Sequence, residues 1–264
     1  MSDKAPFLTV LMPAYNEQAN LAANVPLLLQ KLSELGIVHE LLIVDDGSRD
    51  ATPRLVDEMA ARHERVRAIH HAQNQGIGRA LYTGFRGSRG QYTIFIPADL
   101  AMALDDLVKY LDAVQEADVV VGLRSDRRGT SPARRLVSLA NIALVRLLFC
   151  MPVHQFQYIC MWPTRLLHEI AVEYPDSAFL QAEVLIKARD MGYRLAEVEV
   201  TYQPRTRGRP SGARTRLVLK SVRDLFHFWL RWLFRKRSAN GRRDWRASAG
   251  SNYRFAPPES TARP

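Results

Sequence analysis

Two adjacent carboxylates, Asp45 and Asp46, stand where an apolar run from Leu41 to Val44 stops, and Gly47 and Ser48 follow them. A second apolar run, Leu8 to Met12, stops in the same way at Pro13-Ala14-Tyr15-Asn16-Glu17. Glu17, Asp45 and Asp46 thus sit at the ends of two apolar runs, beside tight turns. An acid pair before a Gly-Ser turn suits hydroxyls, a base edge or a metal better than a bare phosphate of like charge. Asp46-Gly47 is also an ordinary turn pair, which accounts for one acid but not for two beside a second acidic turn. A third run ends in Ile96-Pro97-Ala98-Asp99-Leu100, where Asp99 is a candidate cation ligand or a cap for the next segment. The stretch His71 to Gly84 holds Gly76-x-Gly78 but no third glycine at the dinucleotide-binding spacing, so it is a weak phosphate cradle. Gly84 and Gly87 suit close packing of a helix against a sheet.

Positioning such residues requires strands with a common carboxyl-terminal rim. The first half of the chain alternates short apolar runs (7–12, 40–45, 66–70, 92–97, 118–122) with helical patterns (20–34, 52–63, 77–88, 104–116). Strands separated by helices of this length predict βαβ units and a mostly parallel sheet with helices on both faces. In such sheets ligands bind at the carboxyl ends of the strands. Ser48 or Asp50 can cap the helix near Thr52, and Pro53 suits its first turn. The second half is less regular: a helix over 133–149, a strand over Gln155–Trp162, a helix over Leu180–Met191 stopped by Gly192, and a strand over Leu195–Tyr202. Residues 203–213 read as a mobile basic loop.

Residues 214–236 are rich in large apolar side chains but interrupted by Lys220, Arg223, Asp224 and Arg231. Charges near the centre of a spanning helix cost about 2.5–3.5 kcal/mol each, so this segment predicts an amphipathic helix lying in a membrane interface. A helix docked on the protein's own core is the alternative. From Ser238 the chain reads as a disordered basic tail. The expected organisation is a domain over 1–213, the interfacial helix over 214–237 and the tail over 238–264.

The 264 residues suffice for a full core. Cys150 and Cys160 lie in apolar runs without metal-ligand spacing, so they read as small buried hydrophobes in a reducing compartment. The amino terminus carries no signal-peptide pattern. The net charge of +10 is concentrated, with five arginines in Arg124–Arg135 and five in Arg205–Arg216. It fits anionic lipid or phosphorylated substrates. No recognisable nucleic-acid-binding motif accompanies it, and nucleic acid is not expected as a partner.

Taken in order, the motifs resemble the family 2 inverting glycosyltransferases, and among them the polyprenol-phosphate sugar synthases of the dolichol-phosphate mannose type. The match runs through Pro13-Ala14-Tyr15-Asn16-Glu17, Val44-Asp45-Asp46-Gly47-Ser48-x-Asp50-x-Thr52, Asn74-x-Gly76-x-Gly78-x-Ala80, Ala98-Asp99-Leu100, Gly122-x-Arg124, Glu183 and Pro204-Arg205-x-x-Gly208. The resemblance implies a glycosyltransferase A-type α/β fold. It implies that Pro13, Ala14, Tyr15, Glu17, Asp45 and Asp46 bind the donor nucleoside and that Asp99 meets the diphosphate through Mg²⁺ or Mn²⁺. Arg124 and Arg205 would pair with phosphates bidentately. Two positions depart from the pattern. Pro97 stands where the first acid of Asp-x-Asp is usual, which predicts a weakened metal site. Gln155, beside His154, stands where such synthases commonly carry an aspartate.

The resemblance further implies a single displacement that moves a hexose from a nucleotide-diphosphate sugar to a polyprenyl phosphate. A phosphate monoester has a second pKa of about 6, so such an acceptor needs no strong base. An alcohol acceptor would need one, and Glu183 is the candidate. The expected setting is peripheral, at the cytoplasmic face of an anionic membrane surface, with room for a membrane-protein partner. The alternatives are the same fold acting on a glycan or small phosphorylated acceptor, and a non-catalytic nucleotide-sugar-binding protein.

Overall fold

The computed structural model describes residues 5–124, 132–156, 158–203, 215–235, 237, 241–243 and 245–246. Four strands, β1 (Leu8–Ala14), β2 (His39–Asp45), β3 (Val66–His70) and β4 (Tyr92–Phe95), alternate with helices α1 (Gln18–Glu34), α2 (Thr52–Arg62) and α3 (Ile77–Gly87). They are followed by α4 (Leu107–Ala113), β5 (Val119–Arg124), α5 (Pro132–Phe149) and β6 (Cys160–Pro163). The chain continues through α6 (Thr164–Glu169), α7 (Leu180–Asp190), β7 (Leu195–Val200) and α8 (Thr215–Phe234). The strands form one sheet in the order β3-β2-β1-β4-β6-β5-β7. All run the same way except β6, which is antiparallel to both β4 and β5.

Every residue of β1 and β2 is buried, as expected of parallel strands covered on both faces. Alternate side chains divide between two cores. Leu11, Leu42, Val44, Val121 and Trp162 face α3, α5, α6, α7 and α8. Val10, Met12, Ile43, Val120 and Met161 face α1, α2 and α4. Gly84 lets α3 lie on β1, for a Cβ there would stand 2.1 Å from a Leu11 methyl.

The register sets the rim. Ala14 pairs with Asp45, and Asp45 with His70. Arg124 pairs with Val200 at the carboxyl ends of β5 and β7.

Several features of the second half differ from the sequence reading. The strand expected over Gln155–Trp162 is paired only from Cys160, because β6 is wedged between β4 and β5. The helix expected over 104–116 begins as a 3-10 turn, Leu104–Asp106, before α4. Asp106 accepts the backbone N–H of Thr201 at 2.6 Å and thereby ties this turn to the end of β7. Helix α6 is not foreseen.

Helix α8 is docked: Leu225 and Phe228 are buried in the core, and Trp232 Nε1 donates to Asp190 at the end of α7 at 2.6 Å. Its outer side leaves Leu219, Phe226, Leu230, Leu233 and Phe234 exposed, Phe234 by 83%. The tail expected to be disordered from Ser238 returns at Trp245, which is 1% exposed. Its indole stacks with Phe228 at 5.5 Å between centroids. The basic loop 204–213 lies outside the described residues.

Candidate functional site

The turns after β1 and β2 are stitched together. Asn16 takes a left-handed conformation (φ 54°), accepts the Arg49 N–H through its Oδ1 at 2.8 Å and donates its own N–H to Ser48 Oγ at 2.9 Å. Glu17 N–H donates to Thr52 Oγ1 at 2.9 Å. Asp50, foreseen as a cap of α2, accepts the Thr52 N–H at 2.9 Å. Pro13 and Ala14 are buried in the strand end, so the rim is formed by half-exposed Tyr15 and Glu17. Glu17 accepts from Asn20 Nδ2.

Asp45 and Asp46 do different work. Asp45 Oδ1 accepts the Ser48 N–H at 3.1 Å, and Oδ2 meets His70 Nδ1 at 3.0 Å. Burial opposes ionisation of Asp45, but the bonds from His70 and Ser48 outweigh it and hold its carboxyl below the usual range. Asp46 points into the glycine-rich loop. Its oxygens meet His71 Nδ1 at 2.7 Å, Asn74 Nδ2 at 3.0 Å, Gln75 N–H at 2.9 Å and Gly76 N–H at 2.7 Å. With four partners, Asp46 shapes the 71–76 loop. Gly47 makes the turn possible: it has φ 67°, and a Cβ there would lie 2.4 Å from the Gln73 carbonyl carbon.

On the other side of β1, Asp99 follows β4 in a pinned loop. Asn24 Nδ2 donates to Ala98 O at 2.8 Å, Tyr158 Oη to Ala101 O at 2.6 Å, and Ala103 N–H to Thr201 O at 3.0 Å. Leu100 adopts φ 47°, a strained conformation for a bulky residue. Arg124 lies with its guanidinium carbon 3.5 Å from the centre of the Tyr202 ring and 5.7 Å from that of Tyr158. Its Nε and Nη2 are buried and have no hydrogen-bond partner among the described residues. Stacking positions the planar fork without consuming its donors, a state that favours a phosphate ligand. Gln155 accepts the Arg124 N–H at 3.4 Å, so the residue that departs from the family pattern supports the strand end. Burial pushes the Tyr158 hydroxyl pKa well up, and Arg124, Tyr202 and Asp99 all perturb it.

Glu183 is not brought to this rim as an accessible base. It is fully buried and accepts from Glu173 N–H at 2.6 Å, Tyr174 N–H at 3.0 Å and Lys187 Nζ at 2.6 Å. Burial raises its pKa against the pull of Lys187, but its oxygens are occupied. Lys187, also fully buried, reaches Glu173 at 3.1 Å, and Arg231 of α8 reaches Glu173 at 2.8 Å. This knot holds the segment before α7, whose Asp176 pairs with Arg79 at 2.8 Å. Pro175 O and Ser177 O crowd the Cα of Gly78. Arg205 lies outside the described residues.

The structure thus unites Asp45, Asp99, Arg124 and the 15–17 turn on one rim. His70, Tyr158 and Tyr202 belong with them and are absent from the sequence reading. His70 has no sequence signal of its own; the pairing of β3 with β2 sets it opposite Asp45. Among the described residues no group of three or more His, Cys, Asp or Glu side chains is arranged to hold a metal. No described helix is long and apolar enough to cross a membrane.

Comparison with known proteins adds an independent line. Residues 9–168 match the model of glycosyl transferase family 2. The chain is 31% identical over 229 residues to polyprenol monophosphomannose synthase of Mycolicibacterium smegmatis, covering 81% of this chain and 85% of that protein. It is 28% identical over 207 residues to glycosyltransferase AglD of Haloferax volcanii, covering 75% of this chain. The chain spans about a third (33%) of that archaeal relative's length. Among solved structures, glucosyl-3-phosphoglycerate synthase from Mycobacterium tuberculosis, crystallised with Mn²⁺, UDP and phosphoglyceric acid, superposes with a TM-score of 0.66. The sequences are 18% identical, and the match covers 85% of this chain and 78% of that one.

Proposed function

The chain belongs to glycosyl transferase family 2, and we propose that it moves a hexose from a nucleotide-diphosphate sugar to a polyprenyl phosphate at a membrane surface, with inversion. The observation that supports this reading is that Asp45 and Arg124 end parallel strands on the same rim of the sheet, Arg124 with its buried Nε and Nη2 lacking a hydrogen-bond partner among the described residues. The polyprenol monophosphomannose synthase of Mycolicibacterium smegmatis, of which the match covers 85%, supports the lipid acceptor by its name.

Each residue has a role in this proposal. The main chain at Pro13 and Ala14, with Tyr15, Glu17 and Asp45, cradles the nucleoside. Arg124, with Arg205 from the basic loop, neutralises the diphosphate as it departs. Asp99 is the one carboxylate at the tip of β4. That donor set fits Mg²⁺ or Mn²⁺ only in partnership with substrate, since Mg²⁺ is commonly held by one or two carboxylates plus substrate phosphates. When bound, the ion supplies charge neutralisation at the leaving group. With Glu183 buried and occupied, the acceptor must arrive already nucleophilic, and an ionised phosphate monoester satisfies that condition.

Membrane attachment falls to α8. Its exposed Leu219, Phe226, Leu230, Leu233 and Phe234, with exposed Arg223, Arg231, Arg235 and Arg237, are suited to the interface of an anionic bilayer. The setting proposed is peripheral, on the cytoplasmic side, where nucleotide sugars and a membrane-protein partner would be accessible.

The test is incubation of the purified chain with a panel of nucleotide sugars, Mg²⁺ or Mn²⁺, and polyprenyl phosphate, with mass spectrometry of the lipid. A glycolipid of the donor's sugar is expected. Product formed on phosphoglycerate-like acceptors but not on the lipid would favour the small phosphorylated acceptor, a reading that the fold shared with the glucosyl-3-phosphoglycerate synthase keeps open. Donor binding without any transfer would favour the non-catalytic reading.

A further inference from the structure

His70 closes β3 directly opposite Asp45 in the parallel register. Both of its ring nitrogens meet carboxylates. Nδ1 lies 3.0 Å from Asp45 Oδ2, and Nε2 lies 3.0 Å from Asp57 Oδ1 of α2. An ionised carboxylate only accepts hydrogen bonds, so the two contacts form together only if both nitrogens carry hydrogen, and only the imidazolium has two N–H groups. The neighbouring His71 shows the contrast. It meets Asp46 through Nδ1 at 2.7 Å and Thr83 Oγ1 through Nε2 at 2.9 Å. A hydroxyl can donate, so a neutral ring satisfies both of those contacts.

We propose that His70, as an imidazolium bridging Asp45 and Asp57, is a positioning residue of the donor site that fixes Asp45 for the base edge and makes donor affinity depend on one proton. This rests on the reading of Asp45 as the nucleoside contact. The clamp holds Asp45 by both oxygens, Oδ1 by the Ser48 N–H and Oδ2 by His70, at the end of β2 where the β2–α2 turn begins. The ligand chemistry that fits is a base edge presenting an N–H donor.

Among the described residues, the charged groups facing the imidazole are Asp45 from β2 and Asp57 from α2. The hydrogen bond to Asp45 raises the His70 pKa above the ordinary histidine value, burial opposes this, and Asp57 raises it further. Protonation is therefore favoured below that raised value and lost above it. Loss of the proton leaves one N–H for two carboxylates, so one of the two bonds is lost and the bridge that ties Asp45 through His70 to Asp57 is broken.

The experiment is calorimetric titration of the full chain with intact UDP- and GDP-sugars in Mg²⁺, from pH 6 to pH 8.5, for the wild type, His70→Gln and Asp57→Asn. Intact nucleotide sugars lack the phosphate monoester that would titrate in this range. Wild-type affinity should fall about tenfold as pH rises, the worth of one charge-assisted hydrogen bond. In turnover assays the change should appear in KM for the donor and not in kcat. His70→Gln should bind more weakly at pH 6 and show no pH dependence. Asp57 is a surface residue outside the donor site, so Asp57→Asn should keep the low-pH affinity while its midpoint moves to lower pH. Wild-type pH dependence persisting in His70→Gln, an unmoved midpoint in Asp57→Asn, or an effect confined to kcat would overturn the proposal. Binding that is pH-independent in the wild type overturns this inference alone. A wild type that binds no nucleotide sugar at any pH overturns the donor-site reading and this inference together.

Discussion

The rim around Asp45 and the knot around Glu183 are built from the same residue types yet do opposite things. At the rim, a carboxylate at a strand end is buried but is fixed by only one amide and one imidazole. In the knot, a carboxylate one turn into α7 is met by two amides and an ammonium, all within the protein. The backbone makes the difference. A strand ends in a turn that lets a side chain project past the sheet, whereas the first turn of a helix under a folded-over segment offers nowhere to project. Asp45 and Asp46 repeat the lesson one residue apart, since strand alternation sends the second acid into the 71–76 loop.

The strongest way to break this contrast is to remove the cation of the knot. Lys187→Met leaves Glu183 buried without its counter-charge and should cost about 3–5 kcal/mol of stability, read by denaturant unfolding. Nucleotide-sugar affinity of the folded fraction should be unchanged, and a large loss of affinity would show that the knot belongs to the site.

Asp45→Asn should do the reverse. Donor affinity should fall by about 1.5–3 kcal/mol, the worth of hydrogen bonds to a charged group, while the unfolding midpoint moves little. Calorimetry that finds full affinity in a folded Asp45→Asn protein would remove Asp45 from the donor site.

Asp46→Asn sharpens the distinction between neighbours. It should lower stability by about 1–2 kcal/mol through the loosened 71–76 loop and weaken donor binding less than Asp45→Asn does. Equal losses of affinity in the two variants would make them a functional pair after all.

A smaller effect follows from the Asp45–His70 contact. His70's pKa is raised, so its contribution to stability is complete below its ordinary 6.5 and is lost as pH rises through the raised value. Asp45's pKa is lowered, so its contribution is complete above its ordinary 3.8 and is lost as pH falls through the lowered value. The difference in thermal midpoint between wild type and His70→Gln should therefore be greatest between these limits and shrink on either side.

The smallest change in stability is expected for Phe234→Asp on the outer side of α8, within about 0.5 kcal/mol. Its effect should be reduced sedimentation with anionic vesicles.

The two regions also differ in how far the sequence foretold them. Strands β1, β2 and β3 are continuous apolar runs bounded by turn residues, and their presence and parallel order follow from that pattern, although β1 runs past its apolar run to Ala14. The register then carries Asp45 to the rim. Strand β6 is too short, at four residues, for its direction to be legible, because it is set by the gap between β4 and β5. Trp245 sits in a segment whose polar composition reads as disorder, and the contact of its indole with Phe228 is not visible in that composition. The partners of Glu183 are illegible for a similar reason: a motif names a residue type, whereas occupancy of its oxygens depends on the 171–177 segment, which carries no periodic signal. His70 was missed because a histidine closing a strand has no motif.

The reversed strand has a consequence for how the chain is made. β4 and β5 do not touch; each pairs with β6, which enters the sequence only at Cys160. As the chain leaves the ribosome, β1 to β4 can assemble from near-neighbour βαβ units, with β4 left as an open edge. Closure waits for residues 160–163, and β7 can pair with β5 only after Leu195 is made. A nascent chain stalled between Arg124 and Cys160 therefore displays one open edge of β4 and both edges of β5, a form in which self-association is favoured. The short, buried β6 is the latch that ends this exposure, and its Met161, paired with Ile94 on one side and Val120 on the other, is the last contact needed to make one sheet out of two.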